Sequence, residues 1–298
     1  PEGLPVCVIG FGGYPSFPPM LTALRLRVPT IIHEQNAVMG RANRAVAKYV
    51  TRIASSFPDI VNLDAGVKSK LTFTGNPVRG IVMNQWDMPY DPPPADKPFT
   101  LLVFGGSQGA HYFSEIMPKV VAELPSAVRK RLKIVQQCRP EDIEQVQAAY
   151  DELGQQANLA PFFADLPKHI AAADLVICRS GASTVAELAI IGRPAIMVPL
   201  PHAVDNDQLR NAQSFANAGA GWVKPQAEIT PEGLAAFITR LRYETADLCA
   251  AAAAARAFAK PDAADRLAAI VDELSEQERA RRNVQPAATN EDTNEASA

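Results

Sequence analysis

The chain has 298 residues, of which 47% are hydrophobic, and a formal net charge of -3. This length exceeds one ordinary core and indicates two domains of about 100–200 residues each. The near-balanced charge gives no general reason to expect nucleic-acid binding, and no apolar run reaches the roughly 18 residues of a membrane-spanning helix. The 4 cysteines lack CxxC spacing and lie in apolar segments, which indicates buried thiols rather than a disulfide framework or a zinc site.

The first part of the chain alternates short apolar runs with segments of helical spacing. Strands are predicted at PVCVIG, PTIIHE, RIASSF and KLTFTG, and helices at PPMLTALRLR and RANRAVAKYV. A proline-rich passage at 89–98 follows, and its composition is typical of a linker between domains.

The alternation restarts after the linker with the predicted strand FTLLVF. Further strands are predicted at LKIVQQC, NLAPFF, DLVIC and PAIMVPL, and helices at AHYFSEIMPKVVAEL, EDIEQVQAAYDEL, LPKHIAAA, STVAELAII and NDQLRNAQSFANA. Strands that are apolar throughout and separated by helices favour parallel sheets covered on both faces. The sequence therefore predicts an α/β protein with two doubly wound, Rossmann-like domains. Beyond residue 276 apolar residues almost disappear, which predicts a disordered tail.

In open α/β sheets, ligands collect at the carboxyl ends of strands, where loops lead into helices. Six loops of unusual composition follow predicted strands: GFGGYPS, HEQN, GNPVR, GGSQGA, CRSGAST and PLPHAVDNDQ. We expect the ligand-binding residues to lie in these loops.

Residues 105–110, GGSQGA, form what is called here the glycine loop. Glycines lack a Cβ atom, so the backbone can turn tightly and bring its N–H groups close to an anion. The helix that follows adds its partial positive charge, and Ser107 adds a hydroxyl donor, so the loop suits a phosphate. A glycine turn required only for close packing is the alternative at this point.

The spacing of the glycine loop excludes two common phosphate sites. It is neither GxGxxG nor GxxxxGK[ST], and the next strand ends in Gln136 and Gln137 rather than in an acidic residue for a dinucleotide ribose. A nucleotide of another kind, bound between two similar domains, points to a nucleotide sugar.

A second strand-to-helix loop carries a cation, small polar residues and a carboxylate. Arg179 and the amides of residues 181–184 can face a diphosphate at a helix start, and Glu187 can accept both hydroxyls of a ribose. However, Thr184 and Glu187 also match the capping box T-x-x-E, in which the glutamate bonds back to the cap residue. The local sequence leaves both interpretations open.

Six motifs occur together in one order and spacing: VIGFGGYPS, HEQNAVMGRANR, GNPVR, GGSQGA, CRSGASTVAE and PHAVDNDQLRNA. This set resembles the peptidoglycan N-acetylglucosaminyltransferase family over about residues 6–270. The resemblance implies a GT-B fold, in which two Rossmann-like domains flank a cleft and a C-terminal helix returns to the first domain. It implies an inverting transfer of GlcNAc from UDP-GlcNAc to the C4 hydroxyl of undecaprenyl-linked muramyl-pentapeptide, converting lipid I into lipid II, without a metal or other cofactor.

The resemblance also implies a division of the chain. Residues 1–88 are expected to form part of the acceptor-side domain, 99–255 the UDP-GlcNAc domain, 256–275 the returning helix and 276–298 the tail. Family members begin with a glycine-rich GGTGGH loop that carries a candidate catalytic histidine. Nothing here matches it, and the chain starts at Pro1, so we expect an N-terminally truncated first domain and leave the catalytic base unknown.

Residue roles follow from the resemblance by motif. The diphosphate side is expected to involve Arg79, Ser107, Arg179 and the backbone of Ala182, Ser183 and Thr184. The sugar is expected to contact Asn36 and Gln208, the ribose Glu187, and the uracil the backbone at Phe163.

Three further questions stay open on the sequence alone. Asp205-Asn-Asp207 looks like the DxD metal motif, but this fold usually neutralises the leaving diphosphate with helix dipoles and cations. His33 lies in a matching motif, yet it fits a structural hydrogen-bonding role as well as a catalytic one; His202, in the donor-side loop, fits the task of orienting Gln208.

The lipid tail of the acceptor implies a peripheral protein at the cytoplasmic face of the inner membrane. An apolar and basic stretch could form the contact or could be a buried helix face: Phe17, Met20, Leu21, Leu24, Leu26, Arg25 and Arg27. The alternative functions are a UDP-GlcNAc 2-epimerase and an inactive fragment that binds the donor.

Overall fold

The computed structural model describes residues 3–201 and 203–284, without the side chains of residues 107–109, 204 and 284. It contains two separate parallel β-sheets, and helices that alternate with the strands along the chain cover their faces. The predicted α/β architecture of two Rossmann-like domains is confirmed.

The first sheet has four strands in the order β1-β2-β3-β4. Its elements are β1 (Val8–Gly10), α1 (Phe17–Arg25), β2 (Thr30–Glu34), α2 (Arg41–Val46), β3 (Arg52–Ser55), β4 (Leu71–Phe73) and α3 (Gly80–Met83). All neighbouring strands are parallel, so the loops GFGGYPS and HEQN leave the sheet at the same edge.

The second sheet has six strands in the order β10-β9-β8-β5-β6-β7. Its elements are β5 (Phe99–Phe104), α4 (Gly106–Glu123), α5 (Ser126–Arg129), β6 (Leu132–Gln137), α6 (Ile143–Glu152), β7 (Ala157–Ala160), α7 (Leu166–Ala172), β8 (Leu175–Cys178), α8 (Ala182–Ile191), β9 (Ala195–Met197), α9 (Asp207–Asn217), β10 (Gly221–Val223), α10 (Pro231–Tyr243) and α11 (Thr245–Phe258). The sequence patterns did not predict β10, because its segment GWV lies between glycines and Pro225 and has no apolar run long enough to indicate a strand.

The order of the second sheet puts its most apolar strand in the middle. Leu101 and Val103 of β5 lie in the apolar cluster on one face of the sheet, Leu102 lies in the cluster on the other, and all three are fully buried. Each such side chain contributes roughly 1.5–3 kcal/mol of burial energy. The order of strands in the sheet reverses direction between β5 and β8, and the carboxyl ends of these two strands flank a crevice at that point.

The proline-rich stretch between the sheets has no helix or strand, but it is firmly attached to the second domain. Two arginines of that domain donate to its backbone carbonyls, Arg193 to Pro89 and Arg242 to Pro93, Pro94 and Lys97, and Arg256 donates to Met88 just before it. The linker therefore follows the second domain rather than swinging freely between the two.

The end of the chain departs from the prediction in two ways. The returning segment is not one helix over 256–275: α11 ends at Phe258, and a new helix, α12 (Ala263–Val284), begins after Pro261. The disordered tail does not begin at 276, because α12 continues to Val284; residues 285–298 lie outside the described residues. The buried carboxylate of Glu278 pairs with Arg281 and Arg282 and so stabilises this last part of the helix.

Helix α12 packs on the first domain, as the resemblance implied. Leu267, Ile270 and Leu274 join Ile31 and Ala54 of the first sheet in one apolar cluster. The chain thus crosses between the domains a second time, and Lys260 of this second crossing packs against Gly75 in the loop after β4.

The expectation of buried thiols holds only in part. Cys138 and Cys178 are buried, Cys7 is half-buried, and Cys249 is exposed on α11. The prediction for Cys249 is wrong because the alanines around it gave the segment an apolar composition without placing this face of the helix against the core.

Candidate functional site

The carboxyl ends of β5, β6 and β8 surround a cavity of about 840 Å³, called here the first pocket. Seven of the predicted site residues line it: Arg79, Phe163, Arg179, Ser183, Thr184, Glu187 and Gln208. Asn36 lines a second pocket of about 810 Å³, on the side of the first domain. Ala182 packs instead against the apolar core, so only its backbone can serve a ligand.

The glycine loop presents backbone donors to the first pocket. Gly105 and Gly106 both line the pocket, and Gly106 has a φ of 65°, a left-handed conformation that favours glycine at the start of α4. The side chain of Ser107 lies outside the described residues, so its phosphate contact stays a prediction.

Gln137, at the end of β6, is a site residue that the motifs missed. Its Oε1 accepts hydrogen bonds from the N–H groups of Gly105 at 3.3 Å and Gly106 at 3.0 Å. Its Nε2 donates to the carbonyl of Pro161 at 3.1 Å, beside the loop that carries Phe163. An amide oxygen therefore lies on the N–H groups predicted to bind phosphate. The sequence feature that could have indicated this role is a polar residue at the end of β6, the strand next to the one that precedes the glycine loop.

Arg179 lies beneath the first pocket and is itself buried. Its Nη1 donates to the carbonyls of Val198 and Pro199 at 3.1 Å, and its Nη2 donates to Gln226 at 2.8 Å. Its Nε has no hydrogen-bond partner among the described residues. The guanidinium thus fixes the loop after β9, and its predicted contact with a diphosphate is left to the Nε N–H, to the second N–H of Nη2 and to the charge.

Glu187 does not close a capping box. Helix α8 begins at Ala182, its N-cap is Gly181 without a side-chain bond, and Thr184 already lies inside the helix. The carboxylate of Glu187 instead pairs with Arg79 of the first domain at 3.2 Å. Burial raises the pKa of Glu187, and the charge of Arg79 opposes this shift. The capping interpretation is wrong because the helix begins three residues earlier than the motif requires, with Gly181 and not Thr184 as its N-cap.

Gln208 has a fixed orientation at the rim of the first pocket. Its Oε1 accepts from the N–H groups of Ser180 at 3.3 Å and Leu200 at 3.0 Å. The Nε2 group is therefore left to donate to a ligand oxygen. Phe163, across the pocket, is half-buried and packs on the ring of His169 at 4.6 Å between centroids.

The acidic residues of the DxD-like segment already have partners. Asp205 lies 3.7 Å from Arg41, and Asp207 accepts the N–H of Gln208 at 2.7 Å. Each carboxylate thus has a structural role in the loop that leads into α9. His202 of the same loop lies outside the described residues.

The HEQN loop is shaped by Glu34, another residue that the motifs did not single out. Its buried carboxylate accepts hydrogen bonds from the N–H of Asn36 at 3.1 Å, the N–H of Gly40 at 2.9 Å and Nδ2 of Asn43 at 2.8 Å. These bonds hold residues 36–43 in a tight turn at the second pocket. Desolvation raises the pKa of Glu34, while the same hydrogen bonds lower it.

His33 has the contacts of a structural residue. It is fully buried, and its Nε2 lies 3.1 Å from the carbonyl oxygen of Gly75. Burial lowers the pKa of His33, which favours the neutral ring. Because the carbonyl can only accept, Nε2 is the protonated nitrogen in this bond.

Comparison with known proteins gives consistent matches. The glycosyltransferase family 28 C-terminal domain matches residues 100–267, and the glycosyltransferase family 28 N-terminal domain matches residues 2–55. A Methylobacterium sp. (strain 4-46) protein, named UDP-N-acetylglucosamine--N-acetylmuramyl-(pentapeptide) pyrophosphoryl-undecaprenol N-acetylglucosamine transferase, is 52% identical over 91% of this chain and 73% of its own length. A Rhizobium rhizogenes protein of the same name is 50% identical over 94% of this chain and 74% of its own.

Solved structures agree with the sequence matches. The crystal structure of Acinetobacter baumannii MurG superposes with a TM-score of 0.75 at 34% identity, covering 90% of this chain and 74% of that one. A UDP-N-acetylglucosamine 2-epimerase from Listeria monocytogenes, described as putative, has a TM-score of 0.64 at 16% identity, covers 92% of this chain and 75% of that one, and shares the fold alone.

The two domains and the pocket between them are those of a GT-B glycosyltransferase. The family matches are more specific: the chain belongs to glycosyltransferase family 28. This confirms the resemblance carried by the six motifs.

Proposed function

We infer that the chain is a hexosyltransferase that moves GlcNAc from UDP-GlcNAc to the C4 hydroxyl of undecaprenyl-linked muramyl-pentapeptide, the lipid II-forming step of peptidoglycan synthesis. The observation that carries this inference is the placement of the two pockets. Gln208 lines the first pocket, while its neighbour Asp207 lines the second. A donor sugar at Gln208 would therefore lie next to an acceptor in the second pocket. Relatives about half identical over nine-tenths of the chain carry this activity in their names.

In this proposal, UDP occupies the first pocket. The N-terminus of α4 faces the diphosphate with its partial positive charge, and the N–H groups of Gly105 and Gly106 reach the diphosphate once it displaces Oε1 of Gln137. Glu187 accepts the ribose hydroxyls, and the backbone at Phe163 meets the uracil. Gln208 and Asn36 approach the sugar from opposite domains.

The reaction needs stabilisation of the charge that develops on the leaving UDP. The acceptor hydroxyl attacks C1 of GlcNAc and passes its proton to a general base, the bond from C1 to the diphosphate breaks with its electron pair going to UDP, and the anomeric centre inverts. Arg79 is more than half exposed and can turn from Glu187 towards the diphosphate. Together with the starts of α4 and α8, it would supply preorganised positive potential at the leaving group.

Two measurements test this function. Calorimetry should detect binding of UDP and UDP-GlcNAc, and a transfer assay should show labelled GlcNAc moving onto lipid I. Conversion of UDP-GlcNAc into its C2 epimer would instead support the epimerase alternative, which the 16% identity to that class does not favour. Binding without transfer would mean that this chain only holds the donor, and a lack of UDP binding would overturn the donor site itself.

We also propose a peripheral position at the cytoplasmic face of the inner membrane, since the acceptor is lipid-linked. In the described part of the chain, no helix is long and apolar enough to cross a bilayer. Helix α1 buries Met20 but leaves Leu21 exposed, and the exposed Leu26 follows between Arg25 and Arg27.

Binding to anionic vesicles tests this surface. Replacement of Leu21 and Leu26 by Ser should reduce co-sedimentation with vesicles, because apolar insertion and basic attraction act together. Tyr243→Ser, which changes an exposed aromatic residue of the second domain, is the matched control. Equal vesicle binding by all three proteins would contradict the assignment of this surface.

A further inference from the structure

Arg41 is the one cation among the described residues that line the second pocket. The same pocket is lined by three carboxylates, those of Glu34, Asp205 and Asp207. Glu34 and Asp207 already accept backbone N–H groups of their own loops. Arg41 and Asp205 are therefore the two charged groups whose pairing a ligand in this pocket could change.

The pair of Arg41 and Asp205 is loose and joins the two domains. Arg41 is the first residue of α2 in the first domain, and Asp205 lies in the loop that leads into α9 of the second. Nε of Arg41 and Oδ2 of Asp205 are 3.7 Å apart, beyond hydrogen-bonding distance, and the Arg41 side chain is 74% exposed. Exposed ion pairs of this kind contribute little to stability, because water screens both charges. A ligand carboxylate could therefore replace Asp205, since a guanidinium binds the two oxygens of a carboxylate through two parallel N–H groups.

The proposed acceptor carries anionic groups at two places. Its diphosphate is attached at C1 of the muramyl ring. Its peptide is joined through the N-terminus to the substituent at C3, so the C-terminal carboxylate of the peptide is free. C3 adjoins the reacting C4 hydroxyl, whereas C1 lies across the ring from C4. The anionic group that starts nearest the donor sugar is therefore the peptide and not the diphosphate.

The position of Arg41 matches the peptide end of the acceptor. The donor sugar is expected at Gln208, and the C4 hydroxyl must come close to it. Asp205 precedes Gln208 by three positions, and Arg41 lies against Asp205. The cation of the second pocket thus lies beside the side of the muramyl ring that carries C3 and C4.

We propose that Arg41 is a specificity-determining residue for the acceptor: its guanidinium binds a carboxylate of the peptide, and Asp205 pairs with the guanidinium when the acceptor is absent. This inference rests on the proposed function, and it names the part of the acceptor that the second pocket recognises. Arg41 takes no part in the transfer itself. Its loss should therefore raise the KM of the acceptor and leave kcat unchanged, as for a contact that is equally strong in the ground state and the transition state.

The experiment measures KM and kcat for three short-chain lipid-linked acceptors. They are the muramyl-pentapeptide with free carboxylates, the same acceptor with its peptide carboxylates amidated, and the muramyl diphosphate without peptide. Arg41→Gln should raise the KM of the first acceptor by about 5- to 12-fold, between the effects of an exposed ion pair and of a hydrogen bond to a charged group. It should leave the KM of the other two unchanged. Arg41→Lys should have an intermediate effect, because an ammonium keeps the charge but not the parallel N–H groups.

Replacement of Asp205 by Asn separates recognition of the acceptor from attachment of the domains. Asn tolerates the left-handed backbone of Asp205, whose φ is 58°, so the loop should keep its shape. Because Asp205 competes for Arg41, its neutralisation should lower the KM of the free-carboxylate acceptor by about 1.5- to 5-fold, the strength of an exposed ion pair. A pair that only holds the domains together predicts instead that Asp205→Asn and Arg41→Gln both raise KM.

Arg44→Gln is the matched control, since Arg44 is an exposed arginine on the next turn of α2, and this variant should leave every KM unchanged. An equal effect of Arg41→Gln on the acceptor without peptide would mean that the guanidinium binds the diphosphate, and it would overturn the inference. Changes of the same sign in Arg41→Gln and Asp205→Asn would overturn it as well. If the unchanged chain transfers GlcNAc to none of the three acceptors, the result would overturn the proposed function and, with it, this inference.

Discussion

Replacing Glu187 by Gln tests the ribose contact most directly. The carboxylate is 12% exposed and points into the first pocket, where its partner in the ligand-free protein is Arg79. Gln has almost the same shape but no charge. The substitution therefore removes the charged acceptor without opening a cavity.

The magnitude follows from the two competing interactions of this carboxylate. The Arg79 side chain is 63% exposed, so the ion pair contributes no more than about 0.2–1 kcal/mol. Hydrogen bonds from ribose hydroxyls to a charged, mostly buried acceptor contribute about 1.5–3 kcal/mol. The ribose should therefore displace Arg79, and the net loss in Glu187→Gln, about 0.5–2.8 kcal/mol, should weaken UDP by about 2- to 100-fold.

The pH dependence of UDP binding adds a second readout. Burial raises the pKa of Glu187, and the ribose contact requires the ionised form. UDP affinity should fall as the pH is lowered through this raised pKa, and Glu187→Gln should lose that dependence. A carboxyl whose folded-state pKa is raised destabilises the fold above its unfolded-state pKa, so the variant should be at least as stable near pH 7.

Calorimetry with UDP and 2′-deoxy-UDP checks these expectations. The unchanged protein should prefer UDP, and Glu187→Gln should lose much of that preference. Glu152→Gln, on the exposed side of α6, is the control for a general charge effect. Binding of UDP by Glu187→Gln within twofold of the unchanged protein would refute the assignment.

Three other substitutions probe the surrounding structure. Gln137→Glu should weaken UDP more than uridine in calorimetry, because a carboxylate on the glycine loop amides repels the diphosphate; equal effects on both ligands would contradict this. Gly75→Ala should lower the free energy of unfolding by about 1–3 kcal/mol in urea titration, because φ is 85° and a Cβ atom would overlap Lys260; Gly80→Ala, with open space around its Cβ, should cost less. Arg242→Met should lower the free energy of unfolding by about 2–4 kcal/mol, because it leaves linker carbonyls unpaired. An unchanged denaturation midpoint would show that water replaces the guanidinium.

Local sequence predicted the elements of the fold well where the pattern was long. The run FTLLVF became a central strand because continuous apolar residues can be satisfied only between two covered faces. The prediction failed for β10, whose segment GWV has no apolar run, and for the end of α12, whose last turns contain Glu278, Arg281 and Arg282. The charged composition of this segment is typical of a disordered tail. The segment is helical because its ion pairs and its packing on the first domain stabilise it.

The sequence by itself predicted the class of ligand site, because glycine loops and polar strand ends are typical of a phosphate-binding edge. Only the tertiary structure decided which groups face the ligand. Arg179 donates to the backbone carbonyls of the loop after β9, and Glu187 pairs with Arg79 and does not cap its own helix. Gln137 accepts hydrogen bonds from the glycine loop. Asn36 and Asn211, whose side chains are hydrogen-bonded, lie 175 positions apart in the sequence. A hydrogen bond between such distant residues cannot be predicted from the local sequence of either segment.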